Sequence, residues 1–105
     1  MSNDLVKCKI TVLKRMFNQA LVETYLEAEE GYGACDQFQE GQEFVVENPY
    51  SKPEGFCSWA WADIRHDIMM IAAGGDPPWI KQRHTIISGC TDWFRPVIFR
   101  IERVG

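Results

Sequence analysis

The chain has no cationic run, no long apolar run, no Cys-x-x-Cys pair and only two histidines. Each absence excludes something. Eleven Lys and Arg against fifteen Asp and Glu leave a net charge of −4, and the cations are scattered, which argues against nucleic acid or an anionic membrane as partner. The longest apolar stretch, residues 68–73, is six residues long. A membrane-spanning helix needs about 20. The first five residues lack the charged-then-apolar layout of a secretory signal, so the expectation is a cytoplasmic protein. Its four cysteines are then reduced thiols or metal ligands and not disulfides. Without Cys-x-x-Cys there is no zinc ribbon, thioredoxin or ferredoxin signature. No H-E-x-x-H helix, Walker-type loop or Ser–His–Asp arrangement stands out either. Whether the protein is an enzyme stays open.

What is present fits one small domain spanning residues 1–105. A chain of this length buries about 60–70% of its unfolded surface, enough for a core without metal or disulfide staples. Six Phe, four Trp and three Tyr exceed what a minimal core needs, leaving some to cover a cofactor or a partner.

Residues 5–13 alternate, with Val6, Cys8, Ile10 and Val12 on one face and Lys7, Lys9 and Thr11 on the other, as a half-buried strand does. Cys8 falls among the core positions and reads as a small buried hydrophobe. Asn18 caps a short, frayed helix over 19–29, whose acidic end (Glu27, Glu29, Glu30) opposes the helix dipole and reads as a solvated edge. Glycines at 31 and 33 mark a loop, residues 43–47 form a second strand, and Pro49, Pro53 and Gly55 punctuate another loop. The main helix runs over 59–73 with Ser58 as N-cap. Its apolar stripe is Ile64, Ile68, Ile71 and Ala72, and Gly74-Gly75 with Pro77-Pro78 stop it. Residues 84–90 and 95–104 are the last strands, joined as a hairpin through Asp92-Trp93-Phe94. The order β-α-β-α-β-β predicts an α+β fold: a mostly antiparallel four-stranded sheet with one main and one short helix laid on one face.

With Cys8 in the core, three cysteines remain: Cys35, Cys57 and Cys90, each beside a glycine at an element boundary. Thiols used in chemistry sit on loops held by rigid elements. Their separations, 22 and 33 residues, mean that only the fold can bring them together. Cys57, just before a helix start, lies near the positive end of a dipole worth about 0.3–1 kcal/mol to a negative sulfur. The pattern leaves three readings open: unrelated thiols, redox-active thiols, or a metal centre. Three thiolates suit zinc, with a fourth ligand from His66, His84 or Asp92, or an iron–sulfur cluster. A four-iron cluster held by three cysteines leaves one iron open to a small-molecule ligand.

Other groups have plainer readings. Trp59 and Trp61, two apart on a helix, point about 200° apart, so one faces the core and the other can wall a pocket or an interface. Asp63, His66 and Asp67 share a helix side and read as a solvated polar face before a ligand or proton-shuttling cluster. Asp92 and Arg95 pair to brace the last hairpin.

Four blocks in order carry a resemblance: Gly33-x-Cys35-x-x-Phe38-x-Glu40-Gly41-Gln42-Glu43-Phe44, Pro53-Glu54-Gly55-Phe56-Cys57-Ser58-Trp59-Ala60-Trp61-Ala62-Asp63-Ile64, Gly74-Gly75-Asp76-x-Pro78-Trp79 and Cys90-Thr91-Asp92-x-x-Arg95-Pro96-Val97-Ile98-Phe99. From about Lys9 to Arg103 the chain resembles a family of small conserved proteins, widespread in anaerobic bacteria and archaea, that carries no established activity. The resemblance puts the loop cysteines and the Cys-Ser-Trp-Ala-Trp block inside the family pattern and leaves Cys8 outside it. Oxygen-poor hosts imply a metal centre with iron–sulfur, of the 4Fe-4S type, ahead of zinc. The expected ligands are Cys35, Cys57 and Cys90, with Phe56, Trp59 and Trp61 shielding the cofactor. Two rivals stand beside this reading: a cofactor-free binding or assembly module using the Trp-rich face, and a structural zinc protein. Free sheet edges and the aromatic surplus leave room for a homo-oligomer.

Overall fold

The computed structural model describes residues 5–104. Strand β1 (Lys7–Arg15) is followed by helix α1 (Gln19–Tyr25), β2 (Glu43–Val46), helix α2 (Ser58–Ala72), β3 (Thr85–Gly89) and β4 (Val97–Val104). The strands form one sheet in the order β2-β1-β4-β3, and every neighbouring pair is antiparallel. The α+β architecture and its element order agree with the sequence pattern.

The period-two alternation of β1 and β4 decides which face is dry. Cys8, Ile10 and Val12 of β1 and Val97, Phe99 and Ile101 of β4 point to one side, each at most 1% exposed. The stripe Ala60, Ile64, Ile68, Ile71 and Ala72 of α2 covers them. Each fully buried aliphatic or Phe side chain contributes about 1.5–3 kcal/mol relative to exposure. The opposite face is wet, with Lys9 between Glu43 (3.4 Å) and Glu102 (3.5 Å). Such exposed pairs stabilise little.

Helix α2 ends on a Schellman motif, in which Gly74 (φ 95°) donates to Ile71 C=O and Gly75 to Met70 C=O. The chain then returns to β3 through a loop closed by Asp76. The Asp76 carboxylate accepts from the His84 backbone N–H at 2.7 Å and pairs with Arg83 at 3.4 Å. The His84 hydrogen bond first, and then the Arg83 and His84 charges, hold the Asp76 carboxyl below its ordinary 3.8. A depressed carboxyl contributes stability above its unfolded-state pKa and loses it as pH falls through the folded-state value. Asp76→Asn is therefore expected to lower the urea midpoint at neutral pH, with the gap from wild type closing in acid below 3.8. A gap that persists in acid would assign the effect to shape and not to charge.

Element boundaries differ from the sequence pattern by up to four residues, and β1 runs over Lys7–Arg15 where the alternation predicts residues 5–13. The N-cap of α2 is Cys57 and not Ser58, which is already the first helical residue. Helix α1 stops at Tyr25, four residues before the predicted 29, because Leu26 is extended and the acidic run beyond it opposes the dipole. Strand β3 starts at Thr85 because His84 lies at φ 52°, outside the strand region. Strand β4 starts at Val97 because Arg95 closes a turn on Asp92 C=O before Pro96.

Only α2 lies on the sheet, which corrects the expectation of two helices on one face. Helix α1 is tied instead to the β3–β4 connection: Asn18 N–H donates to Phe94 C=O and Met16 N–H to Pro96 C=O, both at 2.8 Å. Seven residues with one buried side chain, Val22, give α1 little to lay on a core. Among the described residues no helix is long and apolar enough to cross a membrane.

Candidate functional site: a cavity shared by three cysteines

Cys8 is fully buried among core residues, and burial pushes its thiol up to about 11. Its Sγ lies 3.8 Å from Ile68 C=O, on the core side of α2. The other three cysteines are partly exposed free thiols, and all three line one cavity of about 630 Å³.

Each thiol is placed by a neighbour that packs. Cys35 sits three residues before Phe38, which is 2% exposed and anchors the loop in the core. The Arg15 guanidinium donates to Cys35 C=O at 3.0 Å. Arg15 reaches that side through a β-bulge, since the register of β1 against β4 shifts between Val12 and Lys14 and leaves Leu13 extra. The bulge sets Arg15 opposite the core-facing Val97, where simple alternation would have turned it away.

Cys57 follows the buried Phe56, whose C=O accepts from Lys52 Nζ at 2.7 Å. As N-cap of α2 it has no side-chain cap bond, and its sulfur lies at the positive end of a 15-residue helix. Cys90 directly follows β3; its N–H donates to Val97 C=O at 3.1 Å, and its Sγ accepts from Val97 N–H at 3.3 Å.

The Cys90 segment is pinned to α2 by Asp63. Its carboxylate accepts from the Thr91 backbone N–H at 2.7 Å and from the Thr91 hydroxyl at 3.0 Å. The Trp59 indole donates to the same hydroxyl at 3.1 Å, so Trp59, Asp63 and Thr91 join the two cysteine-bearing segments. Asp67 accepts from Ser88 Oγ at 2.6 Å, while His66 is turned out to solvent with Nε2 3.6 Å from Asp67. The Asp63–His66–Asp67 side is thus a docking edge for β3 and the residues after it.

Aromatic side chains are prominent in the cavity wall: Tyr25, Tyr32, Phe38, Trp59, Trp93 and Phe94. Arg95 stacks over Tyr32 at 4.7 Å and its Nε lies 3.4 Å from Asp92, the expected brace. Of the three residues expected to shield a cofactor, Trp59 alone lines the cavity. Phe56 is in the core and Trp61 packs on its edge, ring centroids 6.2 Å apart. Neither His66 nor His84 lines the cavity, whereas Asp92 does.

Among the described residues no three His, Cys, Asp or Glu side chains stand close enough together to hold a single metal ion. The three sulfurs share a void without forming the tight cage of a structural zinc.

Sequence reasoning found the thiols and missed much of what holds them. Leu21 and Tyr25 of α1 line the cavity, and nothing in the short helix marked them as site residues. Asp63 read only as part of a solvated helix side, and Arg15 carried no local signal. Thr91 and Arg95 did, since they share the Cys90-Thr91-Asp92-x-x-Arg95 block with a candidate ligand. Comparison of the chain with family models, with curated proteins and with solved structures gives no match.

Proposed function

We propose that the cavity houses an iron–sulfur cluster held by Cys35, Cys57 and Cys90, with one position not taken by a protein thiolate and open to a small ligand. One observation carries this reading: three loop thiols, 22 and 33 residues apart in sequence, line a single cavity while the fourth cysteine is buried elsewhere. When bound, such a centre supplies electron transfer or Lewis-acid binding of an oxygen- or sulfur-containing group. The chain's own residues supply the rest. The N-terminal end of α2 and the Val97 N–H meet negative charge at Cys57 and Cys90. Trp59, Trp93 and Phe94 wall the cavity beside the thiols. The Asp63–Thr91–Trp59 bridge holds two of the three ligand segments in register before any metal arrives.

The test is iron, zinc and acid-labile sulfide analysis of protein purified without oxygen, with a visible spectrum. About four iron and four sulfide per chain, with brown colour that bleaches in air, is the expected result. About one zinc without sulfide would replace the cluster by a zinc site. Colourless protein with nothing bound would sink the metal reading. It would favour the cofactor-free module, for which Trp59 and Trp93, 65% and 66% exposed at the cavity wall, are the supporting observation.

A further inference from the structure

Among the described residues, Arg95 is the one cation in the cavity wall. Its guanidinium is fixed from two sides, by the Tyr32 ring at 4.7 Å and by Asp92 3.4 Å from Nε. Nε is buried and makes no hydrogen bond, and no acceptor among the described residues takes one from the terminal amino groups. Asp92 is itself held in place, accepting from the Phe94 N–H at 3.2 Å. An arginine oriented in this way, with its two-pronged end unused, matches a carboxylate with two parallel N–H···O bonds. Apolar and aromatic side chains, among them Leu21, Trp59, Trp93 and Phe94, line the cavity beside it, together with the polar Gln37, Thr91 and Asp92. A void of about 630 Å³ is of the size that small organic ligands occupy.

We infer that the cavity binds a small organic monocarboxylate with an aromatic or branched apolar body, its carboxylate on Arg95 and its body against Trp59 and Trp93. One carboxylate is specified because Arg95 is the single cation among the described lining residues and its Nε side already faces Asp92, leaving only the terminal amino groups to take an anion. The inference rests on the reading above in that ligand and cluster share one void, but the recognition element is Arg95 and not the thiols.

The experiment is calorimetric titration with phenylacetate and its neutral counterpart phenylacetamide, with iron and sulfide measured on the same preparation. Wild type is expected to bind the acid about tenfold or more tighter than the amide, the scale of a charge-assisted pair. Arg95→Gln removes that preference while the amide affinity stays within about twofold, which also shows the cavity intact. Arg95→Lys, keeping charge without the fork, falls between. Arg83→Gln, whose partner Asp76 lies outside the cavity, changes neither affinity. Equal affinities in wild type, no binding of either probe, or a preference that survives Arg95→Gln each overturn the inference. If Arg95→Gln also loses the amide, Arg95→Lys decides: a reduced preference supports the inference and an unchanged one overturns it. Acid preference without iron would leave the carboxylate site standing and remove the cluster. Iron and sulfide without acid preference would do the reverse.

Discussion

Phe56→Ala is expected to destabilise the protein by about 3–5 kcal/mol, the range for truncating a buried aromatic in a packed core. Phe56 is 2% exposed and is the hub of the aromatic cluster. Its ring centroid lies 5.0 Å from Phe38, 4.9 Å from Phe44 and 5.5 Å from Phe99. Most of these rings meet edge-on or tilted, a geometry worth about 0.5–1.5 kcal/mol per pair beyond buried area. Alanine leaves a void bounded by three other phenylalanines from three different segments, and rigid rings collapse poorly into it. Domains of this size are stable by about 5–15 kcal/mol in all, so the variant loses about a fifth or more of its margin. Phe56→Leu, which refills most of the space, is expected to cost about 1–2 kcal/mol. Urea titration followed by circular dichroism reads both, and for an m-value of about 2 kcal/mol/M the alanine midpoint falls by about 1.5–2.5 M and the leucine midpoint by about 0.5–1 M. A loss below about 1 kcal/mol for alanine would mean that the cluster relaxes around the gap and that Phe56 is not its hub. Because Cys57 is the next residue, loosening Phe56 also frees a thiol of the cavity.

The strands and the main helix were legible because their periodicities are local. Val6 to Val12 alternate, and Ile64, Ile68 and Ile71 recur at helical spacing, so the dry face of β1 and the buried stripe of α2 follow from the residues alone. The Gly74-Gly75 stop is legible for the same reason, since a left-handed C′ position calls for glycine. The site was legible only as a set of residue types. Whether Cys35, Cys57 and Cys90 meet is decided by sheet order and by the return of the chain past Phe38, neither of which has a short-range signature. The bulge at Leu13 has none either, because an extra strand residue looks like any other until it is paired, and that bulge turns Arg15 toward the Cys35 loop. Asp63 looked like part of a charged helix side, yet its partner, Thr91, is 28 residues away. Helix α1 misled in the other direction. The element order suggested a second helix on the sheet, but Leu21 and Tyr25 line the cavity instead.

Replacing Cys35, Cys57 or Cys90 singly by alanine is expected to abolish bound iron and sulfide, whereas Cys8→Ala is expected to keep both. The contrast follows from where the four sulfurs sit. Cys8 is fully buried, its thiol is pushed up to about 11, and its sulfur faces Ile68 C=O across the core, so it can reach no metal in the cavity. The other three are partly exposed and open on one void, with no fourth cysteine to stand in for a lost one. A centre reduced from three thiolates to two loses a large share of its binding free energy, and ligand bonds of this kind dominate metallo-domain stability. Loss of metal must be separated from loss of fold, and the loop positions help, because none of the three is a core residue. Cys90 needs one further control, since its Sγ also accepts from the Val97 N–H. Cys90→Ser keeps an acceptor there, so it should hold the fold while still losing the cluster, a soft thiolate being replaced by a hard oxygen. Metal content, the visible spectrum and the urea midpoint, measured together on all five variants, distinguish a lost ligand from a lost fold. Retention of iron and sulfide in Cys35→Ala with their loss in Cys8→Ala would move the ligand set into the core and overturn the three-cysteine centre.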